Sequence, residues 1–122
     1  MKLSMTIFLT IMISLPLLAG KKPLIEDYNE VVAAAKAEIQ KQLTPPEGEL
    51  LQFARKYGVK GTFEVKITIH EKGKVATVFF VSRSDDADIR SQNLLGERLK
   101  EMKFPFKMPK GKDYQFNYKF SF

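Results

Sequence analysis

One histidine, a cluster of aspartates and a run of lysines are the residues of this chain with chemistry to offer. His70 is the sole imidazole among 122 residues, and there is no cysteine. Thiol catalysis and cysteine–zinc sites are thereby excluded. A metal site draws on several imidazole, thiolate or carboxylate ligands together, and near His70 stand only Glu64 and Glu71. His70 is read as a solvent-exposed residue closing a strand. Asp85, Asp86 and Asp88 offer carboxylates within four positions. A calcium loop needs more oxygen ligands at set spacing, and usually a glycine. The same acids at a helix start would cap free N–H groups and suit the helix dipole, and capping is the expected role. No nucleophile–base pair, phosphate-binding glycine loop or metal cluster is visible, so no catalytic residue, cofactor or enzyme activity is expected.

The densest basic stretch is Lys103, Lys107, Lys110 and Lys112, interleaved with Phe104, Phe106 and Met108. It reads in two ways. The lysines contact anionic lipid, peptidoglycan or a partner, or the stretch is a solvated loop whose phenylalanines fill the core. The whole-chain charge of +6 suits an anionic surface or polymer, although solubility alone explains such a value.

These residues need a scaffold, and the end of the chain shows it most clearly. Tyr114, Phe116, Tyr118, Phe120 and Phe122 alternate with Asp113, Gln115, Asn117, Lys119 and Ser121. A period of two with aromatics on one side predicts a strand packed by one face. An earlier strand has Phe63, Val65, Ile67 and Ile69 pointing one way, with Thr62, Glu64, Lys66, Thr68 and His70 pointing the other. Glu71-Lys72-Gly73-Lys74 is a hairpin turn in which Gly73 is free to take positive φ. The strand that follows, 75–82, contains four consecutive apolar residues, Val78 to Val81. Either a bulge shifts its register or both its faces are partly covered.

Helical spacing governs the rest. Leu24, Tyr28, Val31, Val32, Ala35, Ile39 and Leu43 predict a helix over 24–43, stopped by Thr44-Pro45-Pro46, because proline disfavours helix in the residue before it. A shorter helix over 47–57 follows, with Leu50, Phe53, Ala54 and Tyr57 on one face and Gly58 as its C-terminal cap. A third helix over 86–102 buries Leu95, Leu99 and Met102, with Ile89 near its start. A loop over 103–112 then leads to the last strand.

The first twenty residues have the layout of a secretory signal: Met1-Lys2, an apolar run from Leu3 to Ala19 broken by Pro16, and small Ala19-Gly20 at the cut. The alternative is an uncleaved membrane anchor, barely of the roughly 18–20 residues a span requires. Either way the chain is expected in the periplasm or cell envelope, which argues against nucleic acid as a partner. The rest, 21–122, is about 100 residues, enough for one self-sufficient core.

The element order is thus α-α-β-β-α-β, an α+β domain. The two hairpin strands run antiparallel, and the helix returns the chain for a third strand. The simplest sheet has spatial order 2-1-3 with all neighbours antiparallel and helices mainly on one face. The aromatic C-terminal strand is then an edge.

Within 61–122 one ordered set of residues is familiar. Gly61 opens a strand carrying Val65, Ile67 and Ile69. Lys72-Gly73-Lys74-Val75 turns into Val78, Phe80 and Ser82. Leu95, Leu99 and Met102 lie on the helix, Lys103-Phe104-Pro105 follows, and Phe120-Ser121-Phe122 closes the chain. This half of the chain resembles the TonB C-terminal domain family, especially the tail domains of envelope proteins in gliding bacteria, with 24–57 as an N-terminal helical extension. The resemblance implies a non-enzymatic, transport-associated module that adds a partner's segment to an exposed sheet edge, and it leaves an energy-transducing component as an alternative. In β-augmentation of this kind, main-chain bonds give affinity and alternate side chains give selectivity. The expected partner is another envelope protein, or a second copy in a structural homodimer or scaffold. The expected contact residues are polar Gln115, Asn117, Lys119 and Ser121 on the last strand. Phe79 and Val81 join them if Val78 and Phe80 face inward and the helices leave that region uncovered. Lys119 equally serves to discourage unwanted pairing.

Overall fold

The structure, a computed structural model, describes residues 22–122, so the expected signal or anchor at 1–20 lies outside the described residues. Six elements follow in order: α1 (Tyr28–Gln42), α2 (Glu49–Tyr57), β1 (Thr62–Ile69), β2 (Val75–Arg83), α3 (Ile89–Lys100) and β3 (Tyr114–Ser121). The sheet order is β2-β1-β3 with both pairings antiparallel, the expected α+β arrangement.

Each helix has an identifiable start and stop. Asp27 caps α1 by accepting the Glu30 N–H at 3.0 Å. That cap moves the start from the expected residue 24 to Tyr28, and Leu24 and Tyr28 are exposed rather than core. Val31, Ala35 and Ile39 form the buried stripe. α2 begins two residues later than expected, at Glu49, and ends on Gly58 in the left-handed region, as its position suggested. α3 starts at Ile89 because Asp88 caps it, and Ile89 is exposed, not part of the buried side. Its core residues are Leu95 and Leu99; Met102 is buried but lies beyond the helix end.

β1 is the central strand, with Phe63, Val65, Ile67 and Ile69 fully buried. Its pairing with β3 runs without interruption from Thr62↔Ser121 to Ile69↔Tyr114. Its pairing with β2 slips twice, leaving Val81 and Ala76 as extra residues. The apolar run in β2 is therefore resolved by bulges: Val78 and Phe80 turn inward and Phe79 and Val81 outward. α3 packs over β2, where Gly96 lets the Phe80 ring approach; a Cβ there would lie 3.2 Å from the ring. α1 packs over β3. Both helices meet the inward-pointing residues, so one sheet face is covered.

The segment expected as a loop, 103–112, is half ordered strap. Met102, Phe104, Phe106 and Met108 are buried, while Lys103, Pro105 and Lys107 between them are exposed. The strap crosses the β1–β2 turn, where Phe104 N–H donates to the Gly73 carbonyl and Met108 N–H to that of Glu71, each at 2.8 Å. Gly73, at φ 82, admits it: a Cβ there would sit 2.5 Å from the Phe106 carbonyl oxygen. On its other side the strap holds the segment before α1, through Lys107 N–H to the Pro23 carbonyl and Ile25 N–H to the Lys107 carbonyl. Full burial of each strap phenylalanine contributes roughly 1.5–3 kcal/mol.

Candidate functional site

The uncovered sheet face gathers the residues singled out from sequence. β1 side chains that do not enter the core are Thr62, Glu64, Lys66 and Thr68. Opposite them stand Ser82, Phe79 and Thr77 on β2, and Ser121, Lys119, Asn117 and Gln115 on β3. Directly opposed residues share a face, so Gln115, Asn117, Lys119, Ser121 and Phe79 project from the same side. Val81, at its bulge, is exposed beside them. The two groups belong to opposite edges, separated by β1 and so by about 10 Å.

The backbone of β3 has a definite polarity. Phe122 N–H donates to the Gly61 carbonyl at 3.0 Å. In an antiparallel ladder, bonded and non-bonded pairs alternate. The even-numbered residues Tyr114 to Phe120 therefore turn their N–H and C=O toward β1. Gln115, Asn117, Lys119 and Ser121 turn theirs away from the sheet. The Gln115 carbonyl confirms the direction by accepting the Tyr28 hydroxyl at 2.6 Å from outside the ladder. Beyond it, the outward main-chain groups of Asn117, Lys119 and Ser121 have no hydrogen-bond partner among the described residues.

Side chains on this edge are lightly tied. Asn117 Nδ2 donates to Glu64 Oε2 at 3.2 Å, and the Ser121 and Thr62 hydroxyls lie 3.2 Å apart. Lys119 forms no ion pair among the described residues. The inner side is braced against α1. Tyr114 donates to the Glu26 carbonyl at 2.8 Å and Tyr118 to Gln40 Oε1 at 3.1 Å. Tyr28 and Tyr114 meet edge to face with centroids 5.5 Å apart. Burial pushes the Tyr118 phenol above its ordinary pKa. Phe116 and Phe120 are buried, whereas Tyr114, Tyr118 and Phe122 are half-buried.

β2 presents a different edge. Its two bulges break the regular spacing of main-chain groups, a device that protects edges from pairing. Phe79 is 63% exposed and Val81 46% exposed, so no helix shields them.

His70 and the aspartates take part in structural contacts. His70 Nδ1 meets Asp113 Oδ1 at 2.5 Å, a surface pair joining the end of β1 to the start of β3. Asp113 lies 43 residues away, and no local signal identifies it as the partner. Asp88 accepts the Ser91 N–H at 2.7 Å as the cap of α3. Hydrogen bonding from Ser91, through its side chain and then its backbone, holds the Asp88 carboxyl below the usual carboxylate range. Asp86 accepts the Ser84 hydroxyl, whose oxygen in turn receives the Thr62 N–H. Among the described residues no three histidine or carboxylate side chains group as metal ligands would. A cleft of about 510 Å³ follows the α1–α2 turn, lined by Glu38, Gln42, Thr44 and Glu47 among others. Its one hydroxyl, on Thr44, donates to the Gln40 carbonyl. Lys103, Lys107, Lys110 and Lys112 are exposed, while the phenylalanines between them fill the core.

Comparison of the chain with protein-family models, with curated proteins and with solved structures finds no match.

Proposed function

We propose that this protein is a non-catalytic binding module of the cell envelope that captures an extended segment of another envelope protein along β3. The carrying observation is the unbroken β3 edge, whose main-chain groups at Asn117, Lys119 and Ser121 point outward and unpaired among the described residues. An added strand finds there the regular donor and acceptor spacing that β-augmentation requires. The exposed side chains of Gln115, Asn117, Lys119 and Ser121 supply selectivity on the outer face. The half-buried rings of Tyr114, Tyr118 and Phe122 retain surface that an added strand would cover. Tyr28, bound to the Gln115 carbonyl, sets one end of the available edge. Phe79 and Val81 add an apolar contact for the part of a partner that reaches across the outer face. The resemblance of 61–122 to TonB C-terminal domains, read from its residues, implies the same use of an exposed sheet edge.

The test is a photo-crosslinking residue at Lys119 in intact cells, with the same residue at Lys100 on α3 as the control. A discrete adduct is expected from Lys119 alone, and Asn117→Pro should abolish it. The same adducts from both positions, or an adduct that survives Asn117→Pro, would refute edge capture. An adduct with a second copy of this chain would instead make β3 a homodimer seam.

A further inference from the structure

Folding assembles a basic pole that is dispersed in the sequence. Lys72 and Lys74 belong to the β1–β2 turn, Lys103 and Lys107 to the strap, and Lys22 to the segment before α1. The strap crosses the turn, so Lys74 and Lys103 become bridge partners. The Lys22 ammonium donates to the Lys72 carbonyl at 3.0 Å, and Leu24 pairs with Lys107. Lys110 and Lys112 extend the pole, since Gly111 N–H donates to Glu71 Oε1 at 2.6 Å. Glu71 lies within this group of seven lysines and Asp113, paired with His70, borders it beside Lys112; among the described residues no lysine of the pole forms an ion pair.

Like charges placed directly across a bridge are destabilising. The chain has 14 acidic residues, yet none stands opposite Lys74 or Lys103. The repulsion is therefore a cost to the fold that an external anion would relieve. We propose that this pole is a docking surface for an anionic lipid bilayer.

Three features favour a bilayer over an acidic peptide. The local main chain is already paired: Lys107 uses both its N–H and its carbonyl, and Phe104 and Met108 donate to the turn. No strand edge is left here for a peptide to join. The charges are all lysines, flexible point charges that match diffuse headgroup charge, with no arginine fork for a defined carboxylate. Finally, Lys22 lies three residues after the apolar run that ends at Ala19. The three Cα–Cα steps from Ala19 to Lys22 span about 11 Å at most, so a bilayer holding that run as an uncleaved anchor would lie beside the pole.

The test uses the full chain with phosphatidylcholine vesicles and with vesicles of equimolar phosphatidylcholine and phosphatidylglycerol. The comparison protein carries Lys72→Gln, Lys74→Gln, Lys103→Gln and Lys107→Gln together. Binding through the apolar run is common to both vesicle types, so the difference between them isolates the pole. A preference for the anionic vesicles is expected, falling steeply as salt rises from about 0.1 M to about 1 M. The fourfold variant should lose on the order of 1,000-fold in that preference, at about 1 kcal/mol for each lysine removed. Its thermal unfolding is followed in parallel, and the salt series on the unaltered chain stands independently of how the variant folds. Equal binding to both vesicle types, or no dependence on salt, would overturn the proposal. So would soluble polyglutamate bound tightly by a chain with no vesicle preference, which would point to an acidic polypeptide instead.

Discussion

Proline placed at Asn117 and at Tyr118, adjacent positions of β3, should have opposite consequences. At Asn117 the N–H points away from the sheet, so proline removes no ladder bond. Edge strands tolerate proline in this setting, and the expected cost is about 1 kcal/mol or less on the scale of strand preferences. At Tyr118 the N–H points at the carbonyl of Val65, a residue with no exposed surface. Leaving that carbonyl unpaired costs about 1–3 kcal/mol. Losing a half-buried ring adds roughly 1–2 kcal/mol, less than the 3–5 of a fully buried aromatic. The Tyr118→Ala variant measures the ring alone, and subtracting it leaves the backbone contribution. Thermal and urea unfolding of the three variants are the assays. Tyr118→Pro should lower the midpoint by ~10 °C or more for a domain of this size, whereas Asn117→Pro should stay within a few degrees. Equal losses at the two positions, or a larger loss at Asn117, would refute the assigned direction of the β3 backbone.

Two further outcomes test the scaffold, and one tests the outer face. Gly73→Ala forces a Cβ to within 2.5 Å of the Phe106 carbonyl oxygen at a φ of 82; strain of about 1–3 kcal/mol is expected, read by denaturant unfolding. The Asp88 carboxyl has a lowered pKa in the folded chain. Its contribution is therefore fully present above the unfolded value of about 3.9 and is lost as pH falls through the lower folded value. Asp88→Asn keeps a neutral cap, so its stability deficit against the unaltered chain should shrink toward zero as unfolding is measured at falling pH. Serine at both Phe79 and Val81 should change stability by no more than about 0.5 kcal/mol, as expected for exposed positions, and should weaken adduct formation at Lys119 if the outer face contacts the partner.

Strand periodicity was the most legible signal. β1 and β3 alternate cleanly because each has one core face, while the sheet order and the edge position of β3 followed from the hairpin and the crossover helix. β2 left two readings open because periodicity cannot locate an extra residue; the bulges at Val81 and Ala76 appear only once β2 is paired with β1. The late start of α1 had a signal in Asp27 followed by Glu30, a cap that outranks the weaker apolar recurrence at Leu24. The strap's period of two at Met102, Phe104, Phe106 and Met108 was masked by its prolines and lysines, which are loop residues by composition. The His70–Asp113 pair has no local signature, and the basic pole shows in the sequence only as its 103–112 stretch, because Lys22, Lys72 and Lys74 join it only through the fold. The alternation of outward and inward main-chain groups along β3 also required the register, since side chains alone do not reveal which amides face an edge.

Residue-resolved amide hydrogen exchange on the isolated chain tests the open edge most directly. The amides of Phe116, Tyr118 and Phe120 should exchange slowly, held by the ladder to β1, while those of Asn117, Lys119 and Ser121 exchange rapidly. Slow exchange at both sets, in a chain shown by light scattering to be monomeric, would mean that the edge is already covered and would contradict the account.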